Sequence, residues 1–199
     1  MLTELIRAVR PTVVLLFLVT LVTGLLYPAT ITGIAQVALP VQANGSLISD
    51  TKGNPIGSAL IAQNFTSPTY FHPRPSAAGK DGYDASASAA TNLAPGSKDL
   101  RDAIAKRVSD ARAEGMTGDI PADLVTTSAS GLDPDLSPEA AFLQTSRVAK
   151  ARGLDVAKVR SLITAQTEEP ILGIIGERHV NVLLLNRQLD TLSATTRGK

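Results

Sequence analysis

From Pro11 to Ser49 the chain carries no charged side chain, and that run constrains the fold more than any other feature. Its most apolar part, Val13 to Leu26, continues through Ile31, Ile34, Val37 and Leu39 with only small or neutral polar interruptions. A helix crosses the hydrocarbon core of a bilayer with about 20 residues, so one transmembrane helix is predicted within 11–39. Tyr27 suits the far interface, and Pro28, which lacks a backbone donor, is expected to kink or end the helix there. A cleaved secretory signal is the alternative, with Arg7 and Arg10 as its basic region. The apolar run outlasts a normal signal core, and no convincing small-x-small cleavage site follows it, which favours a retained anchor.

Orientation follows from the flanking bases. Arg7 and Arg10 precede the run, and no Lys or Arg appears after it until Lys52. The positive-inside rule places 1–10 in the cytoplasm, the span and its interfacial extension in 11–39, and 40–199 outside as one domain. Setting aside Arg7, Arg10 and Glu4 leaves 17 basic and 17 acidic residues in that outer part. Such neutrality argues against binding a phosphate backbone, and with 4% aromatics and no Trp there is little to stack on bases. Nucleic acid is therefore not expected as a partner. Cysteine is absent, so disulfides and thiolate zinc sites are excluded.

The outer part reads as mixed α+β. Residues 46–49 and 56–63 are expected as two strands around the turn residues "TKGNP". Leu100, Ile104, Val108 and Ala111 share one helical face, Asp102 precedes Lys106 by four residues, and Gly115 follows as a stop. Ser137, Pro138 and Glu139 begin a second helix that Gly153 closes. Asp155 caps a third, with Val156, Val159, Leu162 and Ile163 as its buried stripe. A strand is expected over Ile171–Ile175. Between 180 and 186 the strand alternation of Val180, Val182 and Leu184 competes with the helical spacing of Leu185, Leu189 and Leu192.

Constellations that carry chemistry are missing. Histidine occurs only at 72 and 179, neither beside a second ligand in sequence, so no metal site is expected. "DPDLSPE" lacks the alternation and central Gly of an EF-hand loop. "SASGLD" is no nucleophile elbow, and "PGSKDL" lacks the Walker pattern. No catalytic, cofactor-binding or metal-binding residue is assigned. A membrane-anchored periplasmic hydrolase stands as the second functional reading.

One stretch remains, "YFHPRPSAAG". Pro73 and Pro75 fix φ and disfavour helix at His72 and Arg74, so the segment should be stiff and extended. Tyr70, Phe71, His72 and Arg74 are the candidate partner-docking residues, offering aromatic area and a five-donor fork. An internal clasp, with Arg74 holding loop carbonyls of its own domain, accounts for them equally well.

Taken in order, "IGSALIAQNF", "YFHPRPSAAG", "YDASASAATNLAPGSKDL", "IPADLVTTSASGLDPDLSPEAA" and "VNVLLLN" behind a single span resemble the C subunits of the bacterial potassium-transporting P-type ATPases, the Kdp family. The likeness covers nearly the whole chain. It departs at "TNLAPGS", where the family commonly has Gly-Pro after Asn-Leu, a change expected to alter one turn. The resemblance implies a non-catalytic accessory subunit of an inner-membrane complex for high-affinity potassium uptake. Its partners would be a KdpA-like channel subunit, a KdpB-like ATP-hydrolysing subunit, a KdpF-like small peptide and the lipid bilayer. It implies roles in assembly and activation, with a suggested effect on nucleotide affinity that the outward topology makes indirect. ATP, Mg²⁺ and K⁺ would act through those subunits, and no "DKTGT" phosphorylation motif occurs here.

Overall fold

A computed structural model describes residues 2–50 and 52–197, which form two compact units, one up to Leu47 and one from Ile48 onward. The first is helical almost throughout: α1 (Leu2–Leu21), a π-helical turn (Val22–Leu26), α2 (Tyr27–Ala38) and the short α3 (Pro40–Ala43). The helix starts well before the uncharged run, and Arg7 reaches back to Glu4 at 3.2 Å. Residues Thr3–Ala38 make one helix of 36 residues, long and apolar enough to cross a membrane. At 1.5 Å per residue it measures about 54 Å, against roughly 30 Å of hydrocarbon.

Pro28 does not end this helix. The adjustment comes one turn earlier, where Tyr27 N–H bonds the carbonyl of Val22, five residues back. A proline ring crowds the carbonyl four residues before it, here Gly24, and the widened turn relieves that crowding. Thr23 and Thr30 give their hydroxyls to the carbonyls of Val19 and Leu26, both at 2.7 Å.

The second unit is α+β. Strands β1 (Leu47–Ser49) and β2 (Pro55–Ser58) pair, and β2 is half the expected length because residues beyond Ser58 turn away. Then come α4 (Lys98–Ala113), α5 (Ala122–Val125), β3 (Asp135–Leu136), α6 (Pro138–Arg152), α7 (Val156–Gln166), β4 (Thr167–Glu168), β5 (His179–Asn181) and α8 (Val182–Arg197). Strand β5 lies between β3 and β4, antiparallel to both, with Val180 opposite Leu136 and Thr167.

The caps at Ser137 and Asp155 and the stop at Gly153 are those expected, and Ser97 adds a cap that the sequence reading did not name. Ser97, Ser137 and Asp155 accept hydrogen bonds from the backbone N–H groups of Leu100, Ala140 and Ala157, and Gly153 ends α6 in the left-handed region at φ 64°. On α4 the ion pairs run Lys98–Asp102 and Lys106–Asp110 rather than Asp102–Lys106. On α7, Val159 and Ile163 are fully buried, whereas Val156 is exposed. The ambiguous segment divides cleanly: β5 stops at Asn181 and α8 starts at Val182. Residues 171–175 form no strand; a tight turn joins Ile171 and Ile175 by a single antiparallel bridge.

Helix α6 packs on α7, and α7 on α8. Their shared core contains Ala140, Ala141, Val148, Val159, Ile163, Leu185 and Leu189, closed by Leu136 and Val180 from the sheet. Phe71, from a segment without regular structure, is fully buried among them.

Candidate functional site

The segment 65–79 forms neither helix nor strand, so its buried backbone groups need partners that no ladder supplies. Helices α6 and α8 supply them. The Asn186 carboxamide accepts from Phe71 N–H at 2.8 Å and donates to Phe71 C=O at 3.0 Å. One residue on, the Gln144 carboxamide does the same for His72, at 2.8 and 3.0 Å. Two side-chain amides thus do for consecutive residues what a neighbouring strand would otherwise do. Gln144 and Asn186 are themselves fully buried, on the faces of α6 and α8 that carry Ala140, Val148, Leu185 and Leu189.

Two arginines complete the hold. Arg147 gives one terminal nitrogen to the carbonyls of Pro68 and Tyr70, both at 2.9 Å, and the other to Gln144 at 2.6 Å. Its Nε lies 3.1 Å from a Glu114 carboxylate oxygen, an ion pair whose N–H is not aimed at that oxygen. Burial pulls this guanidinium below its ordinary range, and Glu114 opposes the shift. Arg152 donates to Thr69 C=O at 2.6 Å and to Ser193 at 3.0 Å, pairs with Asp190 at 2.8 Å, and lies 4.7 Å from the centre of the Tyr70 ring.

The four candidate docking residues are all engaged within the domain. The Tyr70 hydroxyl donates to Asp190 at 3.1 Å, and Phe71 has no exposed surface. His72 places Nε2 3.1 Å from the Ser67 carbonyl and Nδ1 3.6 Å from Glu114. Burial, reinforced by Arg147, lowers the His72 pKa, which keeps the ring neutral at pH 7. Arg74 donates to Asp133 at 2.8 Å, while its own carbonyl accepts the Tyr83 hydroxyl at 2.7 Å. Burial drives the Tyr83 phenol up to about 12.

Arg74 and Asp133 join the two most distinctive motifs of the chain. Ser76 Oγ donates to Gly131 C=O at 2.6 Å and accepts from Ala78 N–H and Tyr83 N–H. Further along the same strip, the carbonyls of Ser130, Leu132 and Pro134 accept from the backbone N–H groups of Ala89, Ala62 and Val182. Gly131 sits at φ 68°, and a β-carbon there would lie 2.7 Å from both Ala78 N and Ala89 O. Only glycine fits. Ala94 and Ser97 close the turn at "TNLAPGS" with a 2.9 Å backbone bond.

Two clefts open beside the strip. The smaller, about 130 Å³, lies between His72, Arg107, Glu114 and Gln144. The larger, about 390 Å³, is bordered by Arg74, Asp123, Asp133, Asp135, Arg178 and His179. There Asp135 is raised by burial, with His179 opposing, and His179 is raised by its bond to the Glu177 carbonyl and by Asp135 and Glu168. The ring of His72 meets the Ser67 carbonyl, and that of His179 the Glu177 carbonyl. Among the described residues no group of three His, Asp or Glu is arranged to hold a metal ion.

Sequence reasoning selected the strip but missed the residues that hold it. Asn186 carried a signal, a carboxamide at helical spacing from Val182 and Leu189. Gln144, Arg147 and Arg152 carried none apart from their place on the second helix.

Fold and site together define a chain with one N-terminal helix long and apolar enough to cross a membrane and an α+β unit whose polar centre holds its own backbone. The family model described as "K+-transporting ATPase, c chain" matches residues 9–191, and the chain belongs to that KdpC family. A KdpC subunit of a potassium-transporting ATPase from Gemmatimonas aurantiaca is 54% identical over 188 residues, covering 94% of each chain. Its counterpart from Caulobacter sp. (strain K31) is 55% identical, covering 91% of this chain and 92% of that one. The Geobacter sulfurreducens subunit is 47% identical, covering 94% and 98%.

Proposed function

We propose that the chain is a non-catalytic accessory subunit of an ATP-driven potassium-uptake complex, supporting its assembly and activation. The family match over residues 9–191 carries this reading. The site agrees with it, since its arginines and carboxamides are committed to backbone groups of their own domain. A KdpB-like subunit hydrolyses ATP with Mg²⁺, a KdpA-like subunit selects and passes K⁺, and a KdpF-like peptide completes the assembly. The chain influences nucleotide use only through them.

In this reading the N-terminus is cytoplasmic and the outer unit periplasmic, at the inner membrane, because Arg7 and Arg10 are the bases that flank the span. Reporter fusions after Leu39 should behave as periplasmic, and labelling of Lys98 or Lys150 by a cytoplasmic reagent in intact cells would reverse the orientation. Within 70–74, Phe71 acts as the internal pin, so docking is left to the part-exposed Tyr70, His72 and Arg74, with the Arg74 clasp on Asp133 as the competing use of that arginine.

Co-purification tests the central claim. A tagged chain should bring down large membrane subunits and show no saturable ATP binding of its own. A chain that purifies alone, or that hydrolyses substrate unaided, would refute it.

A further inference from the structure

The turn after β4 reverses the usual arrangement of a loop. Ile171, Leu172, Ile174 and Ile175 are 69, 86, 81 and 58% exposed, four large aliphatic side chains within five residues. Isolated exposed apolar residues are ordinary, but a contiguous set of this kind marks an interaction site. The backbone beneath them is already fixed. Gly173 N–H bonds Pro170 C=O at 2.9 Å, and Ile171 and Ile175 exchange two bonds of 2.9 and 3.0 Å. A preformed tip loses little entropy when it docks.

Leu172 sharpens the case. It stands at φ 56°, in the left-handed region, with its side chain almost wholly in water. Asn or Gly would satisfy that backbone better and would suit the exposure better. Local stability therefore does not account for leucine at this position, and contact with something absent from the isolated chain does.

Charge narrows the occupant. Glu168, Glu169 and Glu177 collar the tip; Arg178 pairs with Glu169 at 3.0 Å, and His179 lies 3.6 Å from Glu168. An acidic collar opposes an anionic lipid surface, and residues 168–178 contain no Trp or Tyr of the kind that settles at bilayer interfaces. Self-association of two tips would bring two acidic collars together, which like charges resist. A protein recess with an apolar floor and a basic rim fits all three features.

We propose that residues 170–176 form a docking tip that inserts into such a recess on the extracytoplasmic face of a large subunit of the ATPase complex. This rests on the accessory-subunit reading above. The test uses the full-length tagged chain expressed with the complex, wild type against L172N/I174D, with L172N alone as a second variant. Both substitutions lie on exposed, left-handed or turn backbone, so the melting temperature should hold. Retention of the large subunits after detergent purification should fall about tenfold for the double variant. A photoreactive phenylalanine analogue in place of Ile174 should crosslink to a large membrane subunit. Wild-type retention with undiminished retention by the double variant overturns the tip alone. Crosslinks to lipid or to a second copy of this chain also overturn it. A wild-type chain that retains no large subunit overturns the accessory reading and the tip together.

Discussion

Two irregular stretches of the outer unit solve opposite problems. The strip 65–79 carries an aromatic pin inward, and for Phe71 and its neighbour His72 side chains from α6 and α8 occupy both the N–H and the C=O. The turn 170–176 closes its own backbone with bonds internal to the turn and turns its aliphatic side chains outward. Both contain proline or glycine and both lack regular structure, so local composition does not distinguish them. What separates them is whether neighbouring helices offer polar groups at the right depth. A loop supplied with Gln144, Asn186 and two arginines becomes part of the core, and one without such partners becomes an edge.

The widest gap between the regions should appear on truncating the pin. Phe71→Ala should cost about 3–5 kcal/mol of outer-domain stability, read by denaturant unfolding of the full-length chain in detergent. A loss under about 1 kcal/mol, the size expected of an ordinary surface change, would erase the distinction. Asn186→Leu should come next. It strands the Phe71 N–H and C=O in an apolar site, at about 1–3 kcal/mol for each buried group left unpaired.

Arg74→Ala should be milder, about 1–2 kcal/mol, because its bond to Asp133 is charge-assisted but partly open to solvent. This variant also decides between clasp and docking. A lowered melting temperature in the isolated chain marks a clasp, and an unchanged one with weakened complex assembly marks an outward-facing role. The bond to Asp133 favours the first outcome.

A pH-dependent effect follows from His72. Its folded pKa lies below the ordinary 6.5, so as pH falls the unfolded chain takes up the proton first. The contribution is complete above 6.5 and is lost as pH falls through the folded value. His179, raised in the folded state, contributes in the other direction, with stability present at low pH and lost as pH rises through its folded value. His72→Asn should flatten the acid-side decline, and a decline identical to wild type would show that His72 does not contribute. The smallest stability effect belongs to the turn: Leu172→Asn should leave unfolding within about 0.5 kcal/mol of wild type.

Much of this was legible in the sequence. The uncharged run announced the long apolar helix, and Ser137 and Asp155 announced helix starts. The strand expected over 171–175 failed because five aliphatic-rich residues look alike whether they pair with a neighbour or close on themselves. Glycines at 173 and 176 were the cue for closure, with φ of 75° and 94°. The length of β2 was overestimated for a related reason: Leu60 is apolar but exposed, and Ser58 already starts a turn to Ile61. The clasp was half legible. Arg74 pointed to an acceptor, but the acceptor lies 59 residues away on Asp133, and sequence spacing says nothing about contacts at that range.

The π turn at Val22–Leu26 has a consequence for anyone mapping the anchor. A π turn amounts to one extra residue inserted into the helix, and one residue corresponds to about 100° of rotation. The stripe of side chains that faces a given direction before Leu21 is therefore out of phase with the stripe facing it after Tyr27. A cysteine-scanning or crosslinking series read on a single helical wheel would split one contact line into two apparent faces. Shifting the numbering by one residue across the bulge should bring them back into register.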